Sequence, residues 1–138
     1  MEVFSSYTDI PAPFKNAVVV IGNFDGVHRG HQIVLGKGRA MAEKLGRPFC
    51  VLTFEPHPRR LFRPDDPPFR ITPHGLKMER LKAAGARAVF AIPFTWDFAS
   101  FPAERFVREV LAEGLSAAHI VVGYDFCFGQ LRKGTPET

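Results

Sequence analysis

The stretch AVVVIGNFDGVHRGH, residues 17–31, decides the fold of this chain. It begins with a short, continuous apolar run, Ala17–Ile21, which is typical of a strand buried on both faces. A loop punctuated by three glycines, Gly22–Gly30, follows this run. From His31 to Leu45 the apolar side chains recur at helical spacing. A buried strand, a glycine loop and a helix in this order predict the start of a parallel α/β sheet.

The same alternation continues along the rest of the chain. Further strands are predicted over residues 49–54, 88–92 and 119–122, and further helices over residues 73–84 and 102–113. This order predicts a doubly wound α/β domain with a parallel, Rossmann-like sheet and helices on both faces. Ligands bind such sheets beyond the carboxyl ends of the strands, where the strand order reverses. If the first and fourth predicted strands are neighbours, the glycine loops Gly22–Gly30 and Gly123–Gly134 face one crevice.

Composition limits the class of protein. The chain has 138 residues and is 46% hydrophobic and 23% charged, which fits one folded domain and argues against a disordered chain. No apolar run approaches the ~20 residues that span a bilayer, and the N-terminus lacks a secretory pattern. Two cysteines make a poor disulfide framework, so a reducing, cytoplasmic setting is expected. The net charge of +4 is mild, and we expect neither a nucleic-acid nor a membrane partner.

The glycine loop carries the densest chemical signal. Its glycines let the backbone approach a ligand, and the helix that follows offers free N–H groups to an anion. His28 and His31 flank Gly30 and can donate hydrogen bonds to phosphate oxygens. The loop lacks the lysine and hydroxyl residue of a Walker A motif, and two histidines do not make a zinc site. The alternative interpretation is a tight turn with surface histidines.

The sequence GNFDGVHRGHQ, residues 22–32, strongly resembles the first motif of the prokaryotic FAD synthetase module. This module is the adenylyltransferase half of the bifunctional riboflavin kinase/FMN adenylyltransferases. TFEPHP at residues 53–58, Ile71-Thr72 with the helix after it, and GYDFCFG at residues 123–129 resemble later motifs of the same family, in the same order. The resemblance extends from about Val18 to Gly134.

The resemblance implies the reaction FMN + ATP → FAD + pyrophosphate with Mg²⁺, by direct attack of the FMN phosphate on the α-phosphorus of ATP. It implies that His28 and His31 are catalytic. The implied ATP-binding residues are Gly22, Asn23, Phe24, Asp25, Gly26, His28, Gly30 and His31. The implied FMN-binding residues are Phe54, Pro56, Pro58, Thr72, Asp125, Phe126, Phe128 and Arg132. Asp125 is the first candidate to hold the metal and Asp25 the second.

Several candidate residues also have structural interpretations. Asp25 can accept backbone hydrogen bonds that fix its turn, and we weigh this role and a ligand role equally. Core packing is the favoured interpretation of Phe54 considered alone. Arg132 is either a phosphate partner or an exposed loop arginine. Trp96 fits the core or a pocket wall without preference.

Two departures from the family pattern affect the expected activity. Cys127 stands where the family usually has an arginine. The sequence also ends before the segment in which the family carries a second, Ser/Thr-rich phosphate motif, and before any riboflavin kinase domain. We therefore expect residues 1–138 to form a partial adenylyltransferase domain, with mobility from about Phe126, weak ATP binding and self-association through an open edge at His119–Val122. The alternative is a non-catalytic flavin or nucleotide binder; another cytidylyltransferase-like enzyme fits the motifs less well.

Overall fold

A computed structural model describes residues 1–22, 24, 29–55 and 74–122. Its described part contains one sheet of five parallel strands in the spatial order β1-β4-β3-β2-β5. The strands are β1 (Glu2–Phe4), β2 (Val18–Ile21), β3 (Phe49–Glu55), β4 (Ala88–Pro93) and β5 (His119–Val122). The prediction of a parallel sheet is confirmed. The condition set for a shared crevice is also met, because β2 and β5 are neighbours in the sheet.

Helices connect the strands where the sequence predicts them. The helices are α1 (Arg29–Leu45), α2 (His74–Ala83), α3 (Trp96–Ala99) and α4 (Ala103–Arg105), and a π-helical segment, Phe106–Gly114, continues α4. The predicted helices at 31–45, 73–84 and 102–113 are therefore confirmed to within two residues at each end. A 3-10 turn at Ala12–Phe14 and the short α3 were not predicted, since three or four residues carry too little periodicity to register.

Side chains alternate between two hydrophobic layers along each strand. Val18 and Val20 of β2 pack in the layer that contains residues of α1 and α2, whereas Val19 and Ile21 pack in the layer that contains the π-helical segment. All four residues are at most 2% exposed. Strands buried on both faces are what continuous apolar runs predict, because a parallel sheet needs helices on both sides. The sheet is therefore doubly wound.

Helix α1 lies very close to the sheet at Gly38. A Cβ atom added at Gly38 would overlap the Cγ2 atom of Val20 and lie 3.3 Å from the Cε1 atom of Phe49. Gly36, two residues earlier in the same helix, has no heavy atom within 4 Å of such a Cβ. The two helix glycines differ accordingly: Gly38 permits close packing, and Gly36 only weakens the helix.

The π-helical segment Phe106–Gly114 is wound more widely than an α-helix. The Leu115 N–H donates to the Val110 carbonyl at 2.9 Å, a bond that spans five residues. Phe106, Val110 and Leu111 are buried on its inner face, as its apolar pattern predicts. A Cβ at Gly114 would lie 2.5 Å from the Tyr7 carbonyl oxygen, so the segment ends in direct contact with the N-terminal chain.

Strand β1 is the element that the sequence did not predict. It pairs with β4 at one edge of the sheet, with Phe4 beside Phe90. The two rings stack with their centroids 5.8 Å apart, and Phe14 meets Phe4 edge-on at 5.5 Å. A three-residue edge strand has no apolar run to reveal it, and here aromatic contacts hold it.

Candidate active site

The carboxyl ends of β2 and β5 form the point at which the strand order reverses. Ile21 is paired with Val122, so the chain leaves both strands at the same level of the sheet. From β2 the chain passes to β3 and β4 on one side, and it returns to β5 on the other. Such a reversal opens a crevice above the sheet, where α/β proteins bind their ligands. The glycine loop after β2 begins at this crevice, as predicted.

The first residues of the glycine loop have a defined geometry. The Gly22 N–H donates to the Leu52 carbonyl at 3.1 Å and so continues the pairing of β2 with β3. Phe24 has a φ of 55°, in the left-handed region that a bulky side chain seldom adopts. Its side chain is nevertheless buried, at 6% exposure. The chain therefore turns sharply at Phe24 while its ring stays in the core.

Helix α1 begins at Arg29, directly after His28. Gly30 and His31 therefore occupy its first turn, where the backbone N–H groups have no partners within the helix. This is the arrangement that the sequence predicts for an anion site. The side chain of His31 and all of His28 lie outside the described part of the structure, as do Asn23, Asp25 and Gly26.

Strand β3 forms a wall beside the crevice. It continues from Leu52, the partner of Ile21, to Glu55, which adds about 10 Å at roughly 3.3 Å per residue. The Glu55 carbonyl accepts the Phe94 N–H at 2.9 Å, and its side chain approaches Lys77 of α2, with Oε1 and Nζ 3.5 Å apart. The Lys77 side chain is only 2% exposed. This ion pair, buried at Lys77 and partly exposed at Glu55, joins the end of β3 to the first turn of α2.

Phe54 lies within a cluster of aromatic rings on the other side of the sheet. Its ring centroid is 5.7 Å from those of Phe94 and Phe98 and 6.4 Å from that of Phe106. The residue is 2% exposed, as the core-packing interpretation predicts. A contact between Phe54 and a flavin remains a prediction. Trp96, in contrast, is 62% exposed at the start of α3, so it is not a core residue.

A cavity of about 460 Å³ opens between α1 and α2. The Phe24 ring lines one part of it, and its described lining contains no acidic side chain. The cationic lining residues are Arg39, Lys77 and Arg80. Sequence reasoning missed this cavity because it depends on how two helices are spaced, which their separate patterns do not encode.

Burial also affects the protonation of Cys50, the one cysteine in the described part of the chain. Cys50 in β3 is fully buried, and this burial raises its pKa from 9.0 to about 11, against smaller opposing effects of a backbone hydrogen bond and Arg87. The thiol is neutral at pH 7 and unsuited to nucleophilic chemistry.

The other predicted site residues lie outside the described part of the structure. They are Pro56, Pro58, Thr72, Asp125, Phe126, Phe128 and Arg132. Within the described ranges, no group of three or more His, Cys, Asp or Glu side chains is arranged to hold a metal ion. No helix in these ranges is long and apolar enough to cross a membrane.

Comparisons with known proteins agree with this architecture. A solved structure described as a macrolide-efflux protein from Streptococcus pneumoniae superposes with a TM-score of 0.77 and 28% identity, covering 96% of this chain and 43% of that one. The bifunctional riboflavin kinase/FMN adenylyltransferase of Pseudomonas fluorescens is 38% identical over 136 residues, and that of Bacillus subtilis 37% over 123. These matches cover 97% and 88% of this chain but only 43% and 39% of the relatives.

The family match is broader than any single motif. The family model for FAD synthetase matches residues 10–138, which include every described strand except β1. The stretch that carries the resemblance, GNFDGVHRGHQ, lies between β2 and α1, at the crevice where the strand order reverses. The chain therefore belongs to the FAD synthetase family.

Proposed function

We propose that this chain transfers the adenylyl group of ATP to FMN and so forms FAD and pyrophosphate. The observation that carries the proposal is the position of the glycine loop and the start of α1 at the crevice between β2 and β5, in a chain that matches the FAD synthetase family over residues 10–138. The chain spans about two-fifths of the length of the bifunctional relatives that it matches. Of the two activities in their name, the adenylyl transfer is the one that corresponds to this family.

The proposed reaction is a direct displacement at phosphorus. A phosphate oxygen of FMN forms a bond to the α-phosphorus of ATP, the bond from that phosphorus to the bridging oxygen breaks, and pyrophosphate leaves with the bonding electrons. In such transfers the protein contributes mainly positioning and stabilisation of negative charge. We assign the stabilisation to His28 and His31 together with the free N–H groups at the start of α1. One well-placed donor of this kind lowers a barrier by about 3 kcal/mol in comparable sites.

Mg²⁺ is proposed to enter with ATP. Magnesium is usually held by substrate phosphates, water and one or two carboxylates, so a large cluster of protein ligands is not required. Asp125 and Asp25 are the proposed carboxylates. The ion would neutralise charge on the phosphates.

The flavin is proposed to bind on the β3 side of the crevice. Strand β3 extends beyond β2 and delivers the chain to Pro56 and Pro58, which with Phe126 and Phe128 are the proposed walls for the ring. The Glu55–Lys77 ion pair fixes the last residue of β3 immediately before Pro56.

We also propose that the protein is cytoplasmic and that it self-associates. ATP and FMN as substrates, and a buried neutral thiol at Cys50, fit the cytoplasm. In the described part of the chain, β5 pairs on one side only, with β2, and its four residues are half-buried. We propose that its free edge supports self-association, which sedimentation at increasing concentration tests.

Incubation with FMN and Mg-ATP tests the function, with FAD separated by chromatography. The proposal expects FAD and pyrophosphate in equal amounts, and neither product when FMN is omitted. The bifunctional relative from Bacillus subtilis serves as the positive comparison. Binding of both substrates without FAD would instead support a non-catalytic flavin or nucleotide binder.

A further inference from the structure

We propose that Gly22 and Phe24 act as one interlocked unit, in which the Phe24 ring, seated over Gly22, is a positioning group for the phosphate contacts at the start of α1. The inference rests on the proposed function only in naming ATP as the ligand. It assigns a role to Phe24 that differs from direct ATP contact, because the ring lies in the core.

The first observation is the close approach of the ring to Gly22. A Cβ added at Gly22 would lie 2.8, 2.9 and 3.2 Å from the Cζ, Cε2 and Cε1 atoms of Phe24. Carbon atoms in proteins do not approach so closely, so the ring occupies the space where any other residue at position 22 would carry a side chain. Only glycine fits under this ring.

The second observation is that both members of the unit are held in place. Gly22 is tied to β3 by its hydrogen bond to Leu52. Phe24 is buried in the hydrophobic layer that includes Val18 and Val20 of β2. The chain direction between a fixed glycine and a fixed ring is therefore determined, and only four residues separate Phe24 from Arg29, the first residue of α1.

The third observation is the backbone conformation of Phe24. Its φ of 55° is unfavourable for an aromatic residue, and such strain persists only where the surroundings impose it. A turn that merely connected two elements would be satisfied by glycine or asparagine at this position. A strained phenylalanine at this position indicates that its side chain is needed, and the contact that uses the side chain is the burial of its ring above Gly22.

The cavity between α1 and α2 allows the effect of Gly22→Ala on ATP binding to be measured in a protein that still folds. It borders the Phe24 ring, so a ring displaced from Gly22 has space to enter. Gly22→Ala should therefore leave the protein folded and move the ring, and with it the position of Phe24 relative to the start of α1. Gly22 has no positive φ that would itself oppose alanine, so the effect of this change comes from the ring.

The test is a double-mutant cycle with Gly22→Ala, Phe24→Leu and the pair together. Leucine lacks Cε1, Cε2 and Cζ, the three ring atoms that the new Cβ would meet. We expect each single change to raise the Kd for Mg-ATP, measured by titration calorimetry, about tenfold, and the double variant to be no weaker than Phe24→Leu alone. The coupling would then be about tenfold, or about 1.4 kcal/mol.

Two matched controls accompany the cycle. Gly36→Ala, at an open position of α1, should leave the Kd for ATP unchanged. Phe90→Leu, which truncates a buried ring in β4, should lower the melting temperature without a comparable change in Kd. Independent, multiplying effects of Gly22→Ala and Phe24→Leu would overturn the inference, as would a wild-type chain that does not bind ATP.

The result of the mutant cycle can be distinguished from the result of the FAD assay. ATP affinity tests the interlocked unit whether or not FAD forms. A wild-type chain that binds ATP and shows the coupling but makes no FAD would refute the adenylyl transfer and leave the positioning role intact.

Discussion

The two glycines of α1 provide a matched pair for testing how the helix is packed on the sheet. Gly36→Ala adds a methyl group in open space, so it should gain the helix preference of alanine over glycine, about 1 kcal/mol. Gly38→Ala gains the same preference but drives its Cβ into the Val20 side chain. Overpacking of this kind costs about 1–3 kcal/mol, and the severity of this overlap places it at the upper end. We therefore expect a net loss of about 2 kcal/mol.

Thermal unfolding followed by circular dichroism measures the difference. For a chain of this size about 1 kcal/mol corresponds to roughly 4 °C, so Gly36→Ala should melt about 4 °C above the wild type and Gly38→Ala about 8 °C below it. Val20→Ala removes the atom that the new Cβ meets. The variant carrying both Val20→Ala and Gly38→Ala should therefore lose less stability than the two single losses added together. If Gly38→Ala melted at or above the wild-type temperature, the close contact between α1 and β2 would be refuted.

Three further predictions concern the site and the core. His28→Ala or His31→Ala should reduce FAD formation by at least a hundredfold with unchanged circular dichroism, since one phosphate donor contributes about 3 kcal/mol; loss of the folded spectrum would show that the histidines are structural. FMN should quench the emission of Trp96, the only tryptophan of the chain, and its own fluorescence should fall on binding, whereas a response to nicotinamide mononucleotide alone would contradict a flavin site. Because burial raises the pKa of Cys50 from 9.0 to about 11, the unfolded chain loses this proton first, so stability should fall as pH rises from 9 to 11, by about 2–3 kcal/mol at most. Urea titrations across this range should show a shallower fall for Cys50→Ala, and equal slopes would disprove the assignment.

The sequence predicted strands and helices well wherever several successive residues carried the same apolar pattern. The apolar runs Ala17–Ile21 and Phe49–Phe54 predicted β2 and β3 within about one residue, because strands covered on both faces must be apolar throughout. The helix after the glycine loop was equally clear from its periodicity. Its start differed by two residues, since Arg29 and Gly30 carry no apolar signal.

Features that depend on contact between distant parts of the chain could not be predicted. Strand β1 depends on Phe4 meeting Phe90 and Phe14. The burial of Lys77 has no local signal either, because its partner Glu55 lies 22 positions earlier in the sequence. By helix propensity alone Gly38 would only weaken α1, and it is the closeness of Val20 that shows why a glycine is needed there.

The candidate site was predicted through its motif more than through its geometry. The motif places His28 and His31 at the start of α1, and the structure puts that start at the carboxyl edge of the sheet beside the reversal of strand order. The turn at Phe24 was not predicted, since nothing in the composition of the loop indicates that a phenylalanine would adopt a positive φ.

Adenylyl transfer by this chain is tested most directly by following the α-phosphorus of ATP. With FMN, Mg²⁺ and ATP labelled at the α-phosphorus, we expect FMN-dependent appearance of the label in FAD, none in pyrophosphate and none bound to the protein. His28→Ala should lose the labelled FAD while remaining folded. Label retained in ATP at every concentration of FMN, or label attached covalently to the protein, would contradict direct attack of the FMN phosphate on ATP.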